Sequence, residues 1–476
     1  MANYALALIS ESLDARDGLD VFNPATGAKL AEARSFGVPA ASDAIDRADA
    51  ARPEWQGRTA QGRADILRRW RRLILRHKDE LAEIITLESG KPLHEARAEV
   101  THGAAYVEWF AEEGKRAYGE VIPGFSPSSR MLTLRQGVGT CAAITPWNFP
   151  LGMIARKVAP ALAAGCAIIV KPAEATPLTA LVLEKLAHRA GVPADLFRVT
   201  PTLDPAAMGA LFCAHPRIRK LSFTGSTRVG KILMAQAAQQ VLRLSLELGG
   251  NAPFIVFDSA DVPAAVEGLL QSKYRNSGQT CVCANRVLVQ DGVHDVFVEA
   301  LVSRLRELRV GNGIDEASDL GPLIDAQAAS RVAGIVDAAV AAGCTVRLGG
   351  TGANGAFYPP TLLTGVQPDM PIAQGEIFGP VAPVIRFTDE AEAIAIANGT
   401  PYGLAAYVYS RDMGQAWRML EQLEFGMVAL NEGRLSSEAA PFGGMKQSGF
   451  GREGSRHGLD EYLEIKYGLI GGLAGY

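Results

Sequence analysis

The sequence has few cysteines and histidines, and neither type is arranged as a disulfide scaffold or a metal site. The 476 residues include six cysteines and seven histidines. Six cysteines in so long a chain cannot form the dense framework of a small secreted domain. The histidines are scattered, and no HExxH pattern or comparable metal-ligand spacing occurs. A GxSxG motif is also missing. Metal-dependent and serine-hydrolase chemistry are therefore disfavoured, and no metal is expected.

The sequence also lacks a basic excess and a long apolar run. The formal net charge is −4 and the pI is about 6.1, which argues against nucleic acid as a partner. The longest apolar run, residues 159–170, is bracketed by two lysines and is too short to cross a bilayer. The N-terminus has no basic start typical of a secretory signal. We therefore expect a soluble protein of the reducing cytoplasm, without a membrane partner.

Strand and helix patterns alternate in the chain after residue 140. This alternation predicts βαβ units and a parallel sheet covered on both faces, so the fold class is α/β. The helical patterns before it, at 42–51, 61–88 and 92–117, are interpreted as a cover and not as part of a catalytic centre. The candidate strands are 141–145, 166–171, 196–200, 220–223, 241–246 and 254–257.

Two further segments predict strands that need partners. Residues 120–139 contain a proline- and glycine-rich turn followed by an alternating strand, and residues 460–470 form a strand-like tail. Exposed strand edges are normally covered, so we expect a homodimer or a homotetramer built from dimers. From the sequence alone, the first segment could equally be an edge hairpin.

Glu247 and Cys281 are the two residues best placed for chemistry. Glu247 ends an apolar strand-like run, and a charge there is costly unless it is solvated or used. Cys281 follows Gly-Gln-Thr in a predicted loop, where a thiol is placed like a nucleophile. Each residue also has an ordinary explanation: a strand-end glutamate facing water, and a buried structural thiol.

Three other strings lie where a predicted strand ends and a helix begins. In the first, Asn148 can face a reaction centre, or it can cap the following helix. In the second, Lys171 and Glu174 can bind a ribose or phosphate, or they can be an exposed lysine and a helix-start acid. The third, Gly225-Ser226-Thr227, offers helix N–H groups to a pyrophosphate. It nearly matches a P-loop, but Ile232 stands where a nucleotide hydrolase needs Ser or Thr.

Taken together, these strings resemble the aldehyde dehydrogenase superfamily. The matching motifs are ELGG, GQTC, PWNFP, FTGS and EIFGP, and GQTCVCANR with SLELGGNAPFIVF is most similar to the succinate-semialdehyde dehydrogenase branch. The resemblance spans about Val21 to Tyr467. It implies a Rossmann-type cofactor domain (1–118 and 140–250), an α/β catalytic domain (251–450) and a small β oligomerisation arm (119–139 and 451–476).

The resemblance also implies a role for each site residue. Cys281 is the nucleophile, Glu247 the general base, and Asn148 forms the oxyanion hole with the Cys281 N–H. Cys283 is a candidate redox partner of Cys281. The expected substrate-binding residues are Arg156, Arg275 and Ser436. The expected cofactor-binding residues are Thr145, Pro146, Trp147, Lys171, Ala173, Glu174, Gly225, Ser226, Thr227, Leu248, Glu376 and Phe378.

The expected reaction is NAD(P)-dependent oxidation of a small anionic semialdehyde, with succinate semialdehyde first. NAD is expected to be preferred over NADP, because Glu174 would accept bonds from the ribose hydroxyls and repel a 2′-phosphate. Arg434 departs from the aliphatic residue usual in this branch and could admit glutarate semialdehyde. A second departure, at 197–202, predicts a different adenine-side loop. The two substrate arginines could instead lie in structural ion pairs.

Overall fold

The chain folds around two large, mainly parallel sheets, so the predicted α/β class is confirmed. The computed structural model describes residues 3–13 and 18–473. Residues 1, 2, 14–17 and 474–476, which the predicted domain boundaries include, lie outside the described residues. The helices are α1 (Asn3–Leu8), α2 (Val38–Gly57), α3 (Ala60–Arg76), α4 (Lys78–Ser89), α5 (Leu93–Glu113), α6 (Gly152–Ala164), α7 (Pro177–Ala190), α8 (Pro205–Ala214), α9 (Thr227–Ala237), α10 (Val262–Leu269), α11 (His294–Leu305), α12 (Ala326–Ala341), α13 (Pro371–Gln374), α14 (Glu390–Asn398), α15 (Met413–Gln422) and α16 (Ser455–Asp460). The strands are β1 (Leu19–Phe22), β2 (Lys29–Ala33), β3 (Val121–Pro123), β4 (Arg130–Gly137), β5 (Thr140–Ile144), β6 (Ala167–Lys171), β7 (Phe197–Val199), β8 (Ile218–Thr224), β9 (Arg243–Glu247), β10 (Ala252–Val256), β11 (Ala284–Gln290), β12 (Thr345–Leu348), β13 (Thr361–Thr364), β14 (Val381–Phe387), β15 (Tyr402–Gly403), β16 (Ala405–Tyr409), β17 (Met427–Leu430), β18 (Met445–Lys446), β19 (Gly449–Phe450) and β20 (Leu463–Ile470).

The first large sheet has the strand order β19-β9-β8-β5-β6-β7. Its strands are parallel except for β19, which pairs antiparallel with β9. Strands β5 and β6 are buried at every position, as expected for strands with helices on both faces. Because the strands are parallel, their carboxyl ends share one edge, where residues Thr145, Lys171, Gly225 and Glu247 lie.

The second large sheet has the order β12-β13-β14-β11-β10-β16-β17. Its strands are parallel apart from β12, which pairs antiparallel with β13. Alternate residues of β10 point to opposite faces, so Phe254 and Val256 enter one apolar core and Ile255 enters another. The nucleophile candidate Cys281 lies just before β11 of this sheet.

A small three-stranded antiparallel sheet carries the predicted oligomerisation arm. Its order is β20-β4-β3, and β20 pairs with β4 from Leu463↔Gly137 to Ile470↔Arg130. The tail strand therefore finds its first partner within its own chain. Val121, Ile465 and Tyr467 remain exposed on this sheet. Among the described residues, no helix is long and apolar enough to span a bilayer.

Candidate active site

A cavity of about 670 Å³ opens between helices α5 and α6 and the segment that leads from α10 to Cys281. Its lining includes Cys281, Arg156, Arg275, Ser436 and Arg434. The structure thus brings the predicted nucleophile and the three predicted substrate-binding residues to one cavity, although they come from distant parts of the chain. This volume is ample for a small-molecule site.

Cys281 lies after three residues with left-handed backbone. Asn276, Ser277 and Gly278 have φ values of 49°, 53° and 75°, and such strain in non-glycine residues is typical of functional sites. At Gly278, a Cβ atom would lie 2.2 Å from the carbonyl oxygen of Gly379, so only glycine fits. Cys281 is partly exposed, whereas the other five cysteines are buried. The sequence thus places its one accessible thiol in the cavity.

The surroundings of Cys281 keep its thiol protonated at neutral pH in the cofactor-free protein. Burial raises the pKa of Cys281 to about 12, and nearby Arg156 acts in the opposite direction. Glu247 and Glu376 raise this pKa further, because a thiolate would repel their carboxylates. The thiol therefore needs help to form the reactive thiolate.

Asn148 is buried beside the nucleophile loop. Its Nδ2 donates to the main-chain oxygen of Gln279 at 2.9 Å, which orients the amide and leaves its second N–H available. The N-cap of α6 is Leu151, so Asn148 does not cap that helix. Among the described residues, the N–H of Cys281 has no acceptor. The Asn148 amide and the Cys281 backbone thus offer two donors at the nucleophile loop, as an oxyanion hole requires.

Glu247 ends β9 and is only 3% exposed, so it does not face bulk water. Both of its carboxylate oxygens are buried and have no hydrogen-bond partner among the described residues. Burial raises its pKa well above the usual carboxyl range, and repulsion from Glu453 adds to this effect, while Lys157 opposes it. A Cβ atom at Gly443 would lie 2.9 Å from Glu247 Oε1, so this glycine makes room for the carboxylate.

The two candidate substrate arginines differ in their partners. Arg156 is buried, pairs with Glu453 at 3.3 Å and donates to the hydroxyl of Tyr106 at 2.9 Å. The structural ion pair that the sequence left open is therefore present for Arg156. Arg275 lies over the ring of Phe149 at 5.3 Å and has no ion pair or hydrogen bond among the described side chains. Its guanidinium is free to bind an anion.

The predicted dinucleotide-binding residues lie along the carboxyl edge of the first sheet and beside it. Thr145 Oγ1 is buried without a partner, as expected of a group that waits for a ligand. Ser226 caps α9 by accepting from the Val229 N–H at 3.3 Å, and Thr227 Oγ1 donates to Gln447. The first N–H groups of α9 suit a pyrophosphate. Gly225 and Leu248 are held by main-chain bonds, to Glu247 and Ser448 respectively.

A second group of predicted cofactor residues lies together around Trp147 and Phe378. Trp147 and Phe378 meet edge to face with ring centroids 5.5 Å apart, next to Pro146. Glu376 accepts from the Gly250 N–H at 3.3 Å, and burial raises its pKa to about 7. These groups fit a ribose and a flat ring, so the residues present suit a bound dinucleotide.

The adenosine-side residues form an ion pair that the sequence did not predict. Lys171 is buried and its ammonium binds the carboxylate of Glu174, whose side chain is 40% exposed. Ala173 is buried between them. Since Lys171 neutralises Glu174 and the carboxylate can turn into water, Glu174 does not present the bare repulsive charge on which the preference for NAD was based.

Cys283 is a free, buried thiol. Its Sγ lies 3.4 Å from Nζ of Lys273, which is itself fully buried. Burial raises the pKa of Cys283, and Lys273 opposes this shift. The redox pairing of Cys281 with Cys283 stays a prediction, and it would require the Cys283 side chain to leave Lys273.

Helix α5 contributes residues to the cavity lining that the sequence analysis did not single out. Glu95, Glu99 and His102 line the cavity, and Tyr106 binds Arg156 from the same helix face. Besides covering the fold, as the sequence predicts, this helix therefore lines the cavity. The available signal was the spacing of these four polar residues, which places them on one side of an α-helix. Burial lowers the pKa of His102 to about 4, with Arg156 and Arg275 adding to the effect, so its ring stays neutral.

The fold and this site define an aldehyde dehydrogenase, and residues 11–467 match the aldehyde dehydrogenase family. The chain belongs to this family and is an oxidoreductase that acts on aldehydes, which argues against the nucleotide hydrolase. An Escherichia coli succinate-semialdehyde dehydrogenase, named for NADP(+), is 52% identical over 470 residues, 98% of this chain and 97% of the relative. A Pseudomonas aeruginosa glutarate-semialdehyde dehydrogenase is 50% identical over 465 residues, covering 97% and 96%. The crystal structure of an E. coli NADP-dependent enzyme matches with a TM-score of 0.94 and 51% identity over 95% of each chain.

The predicted preference for NAD is contradicted by these similarities. The names of the E. coli relative and of the similar E. coli crystal structure both specify NADP. The physical error lies in Glu174, which was treated as an unpaired charge although Lys171 binds it. A charge that is paired and exposed repels a phosphate only weakly.

Proposed function

We propose that this protein oxidises succinate semialdehyde to succinate with NADP as the preferred oxidant. The observation that carries the proposal is the unpaired guanidinium of Arg275 in the same cavity as the accessible thiol of Cys281. An aldehyde at one end of the substrate would meet the thiol, and a carboxylate at the other end would meet the arginine. Guanidinium groups suit this task because they bind carboxylates through two parallel hydrogen bonds.

The first half of the reaction takes place on Cys281. Its thiolate attacks the aldehyde carbon, and the new oxyanion is held by the second N–H of Asn148 and by the Cys281 N–H. A dinucleotide, when bound, would accept a hydride from this adduct. Loss of a hydride converts the adduct on Cys281 into a thioester, and Trp147, Phe378 and Glu376 are the residues that would hold the nicotinamide end of a dinucleotide.

The second half of the reaction releases the acid. Glu247, once deprotonated, removes a proton from a water molecule that attacks the thioester. The carbon–sulfur bond breaks, succinate leaves, and the Cys281 thiolate is restored. The empty hydrogen-bonding positions on both oxygens of Glu247 leave them free to accept from that water.

The glutarate homologue is the second candidate substrate. Arg434 lies at the same cavity, is exposed, and has no ion pair among the described residues. A substrate longer by one methylene could place its carboxylate closer to Arg434, and a relative is named for this substrate. Ser436 lies two residues further along and can donate its hydroxyl to either carboxylate.

Several further features belong to the same proposal. Most strands of the two large sheets and all strands of the three-stranded sheet fall in separate predicted domains, which supports the predicted boundaries. Strand β19 is the exception, because it falls in the predicted catalytic range and pairs with β9 of the first sheet. The apolar side chains exposed on the small sheet support a homodimer or homotetramer, because such patches are normally covered. We also propose a cytoplasmic location, on the basis of the composition of the chain.

The substrate and cofactor are tested together by steady-state kinetics. We expect kcat/KM for succinate semialdehyde to exceed that for an uncharged aldehyde of similar length, and NADP to give an efficiency about tenfold or more above NAD. The measurement is the absorbance of the reduced cofactor. Equal efficiency with NAD would contradict the cofactor assignment. Faster turnover of glutarate semialdehyde would make the longer acid the substrate.

The role of Arg275 is tested by Arg275→Ala. We expect the KM for succinate semialdehyde to rise by about tenfold to hundredfold, because a charge-assisted bidentate contact is lost. Turnover of an uncharged aldehyde by the same variant serves as the control and should change by less than about threefold. A parallel loss with both substrates would show that Arg275 supports the loop and does not select the anion.

A further inference from the structure

Lys91 is a fully buried lysine whose partners surround the oxyanion loop, residues 148–152. It lies between α4 and α5. Its Nζ donates to Glu99 Oε2 at 2.5 Å and to the main-chain oxygen of Asn148 at 2.7 Å. The same ammonium lies 4.0 Å from the ring centroid of Phe149. Lys91 therefore contacts one end of the oxyanion loop, at the carbonyl group of Asn148 and at the ring of Phe149.

Glu99 holds the other end of this loop. Its Oε1 accepts from the N–H groups of Leu151 at 2.9 Å and Gly152 at 3.1 Å. These are the unpaired donors at the start of α6, and the N-cap residue of that helix supplies no side-chain acceptor. A carboxylate from α5 thus caps α6, where the helix dipole favours a negative charge.

The loop is also bound to the nucleophile segment. Asn276 Nδ2 donates to the Asn148 main-chain oxygen at 3.1 Å and to that of Gln279 at 3.3 Å. The Asn148 backbone is thus fixed by Lys91, by Asn276 and, through the helix start, by Glu99. With the backbone fixed and one side-chain N–H bound to Gln279, the second N–H of Asn148 has a set direction.

We infer that Lys91 and Glu99 are positioning residues that aim the Asn148 amide at the developing oxyanion, an inference that rests on the proposed role of Asn148. A buried ion pair contributes little to stability compared with neutral groups of similar volume, because both charges lose their hydration. Placement of a donor matters far more to catalysis, since stabilisation depends on the position that the oxyanion takes in the transition state. The ion pair of Lys91 and Glu99 therefore contributes more to the reaction rate than to the stability of the fold.

The test is the variant Lys91→Met/Glu99→Gln in the full-length enzyme with saturating cofactor. It removes both charges of the pair together, so neither partner is left unpaired, and we expect the melting temperature to stay close to that of the unmodified protein. The rate constant of reduced-cofactor formation in the first turnover should fall by about tenfold to hundredfold, while the aldehyde KM changes by less than about threefold. Alkylation of Cys281 by iodoacetamide should keep its rate within about twofold, because it develops no oxyanion.

A double-mutant cycle with Asn148→Ala separates positioning from general support. If the pair acts through Asn148, adding Lys91→Met/Glu99→Gln to Asn148→Ala should slow the first turnover by less than about twofold. A further loss of tenfold or more would overturn the inference. A normal first-turnover rate in Lys91→Met/Glu99→Gln, while Asn148→Ala is slow, would also overturn the inference. If Asn148→Ala turns over normally, the proposed oxyanion role fails first and the inference falls with it.

Glu88→Gln provides a matched control. Glu88 is a buried glutamate that caps α7 by accepting from the N–H groups of Leu178 at 2.8 Å and Thr179 at 3.0 Å, but that helix does not carry Asn148. Its first turnover should stay within about twofold of the unmodified enzyme. An equal loss in Glu88→Gln would contradict the inference. If the pair variant does not fold, Glu99→Gln alone gives the same readouts, with an expected loss of at least about threefold; an unchanged rate would overturn the inference.

Discussion

Replacing Cys281 with alanine should lower the first-turnover rate of reduced-cofactor formation by at least about 10⁴-fold, because no other thiol can form the adduct. The remaining five cysteines are buried, and only Cys281 lines the cavity. The change removes one sulfur atom at a partly exposed position, so we expect the melting temperature and the affinity for NADP to change little. Stopped-flow absorbance and a cofactor titration measure these quantities. Residual turnover above about a tenth of the original rate would exclude Cys281 as the nucleophile.

Cys283→Ala is the matched control for this experiment. It removes a thiol two residues away that contacts Lys273 and not the cavity, so turnover should fall by less than about threefold. The same variant tests the predicted redox pair. If the two thiols form a disulfide, peroxide should inactivate the unmodified enzyme reversibly, and dithiothreitol should restore it. Inactivation that persists unchanged in Cys283→Ala would contradict the pairing.

The pH dependence of alkylation provides a further check on Cys281. A pKa raised to about 12 means that the reactive thiolate is a minor form at neutral pH. As long as the pH is below the pKa, the thiolate fraction rises about tenfold for each unit by which the pH is increased. The rate of iodoacetamide alkylation in the cofactor-free enzyme should therefore increase steadily from pH 7 to pH 10. A plateau near pH 8 would show that the thiol is already activated.

The strands that position the site were predictable because their sequence pattern is strong. Segments β5, β6 and β10 are continuous apolar runs, and each was placed within one or two residues of its observed bounds. Helix boundaries were less predictable. The single helix predicted at 61–88 is in fact two helices, α3 and α4, with a break at His77. The break was not predicted, because the apolar spacing continues across the junction while the backbone turns.

The candidate site was predictable as a set of motifs but not as a set of partners. Short sequence motifs identified Asn148, Glu247 and Cys281 as candidate catalytic residues, because a motif depends only on the local order of residue types. Contacts between distant residues leave no such local pattern. The pairing of Arg156 with Glu453 joins residues almost 300 positions apart. The cofactor error has a different cause: Lys171 and Glu174 are only three residues apart, but the sequence does not show whether two neighbouring side chains form an ion pair.

Replacing Glu247 with glutamine should separate the two halves of the reaction. Without a base to activate water, thioester hydrolysis should slow by about 10²-fold to 10⁴-fold, whereas formation of the thioester on Cys281 should continue. We therefore expect a burst of about one equivalent of reduced cofactor per site, followed by very slow turnover. Rapid mixing with absorbance detection measures both phases. Glutamine keeps the volume of the side chain, so the buried position should tolerate it.

The pH profile of the slow phase decides whether Glu247 is the base. Burial, with repulsion from Glu453, holds the pKa of Glu247 well above the usual carboxyl range, so this carboxyl group loses its proton at a higher pH than an exposed glutamate does. The active base form then accumulates as the pH rises, and steady-state turnover of the unmodified enzyme should rise with it. Glu247→Gln should lose this rise, because glutamine does not titrate. The burst rate reports the Cys281 step separately, so titration of the thiol cannot imitate the result. An unchanged profile in Glu247→Gln would assign water activation to another group. Loss of the burst together with the slow phase would show that Glu247 is needed before the thioester forms, which contradicts its assignment to hydrolysis alone.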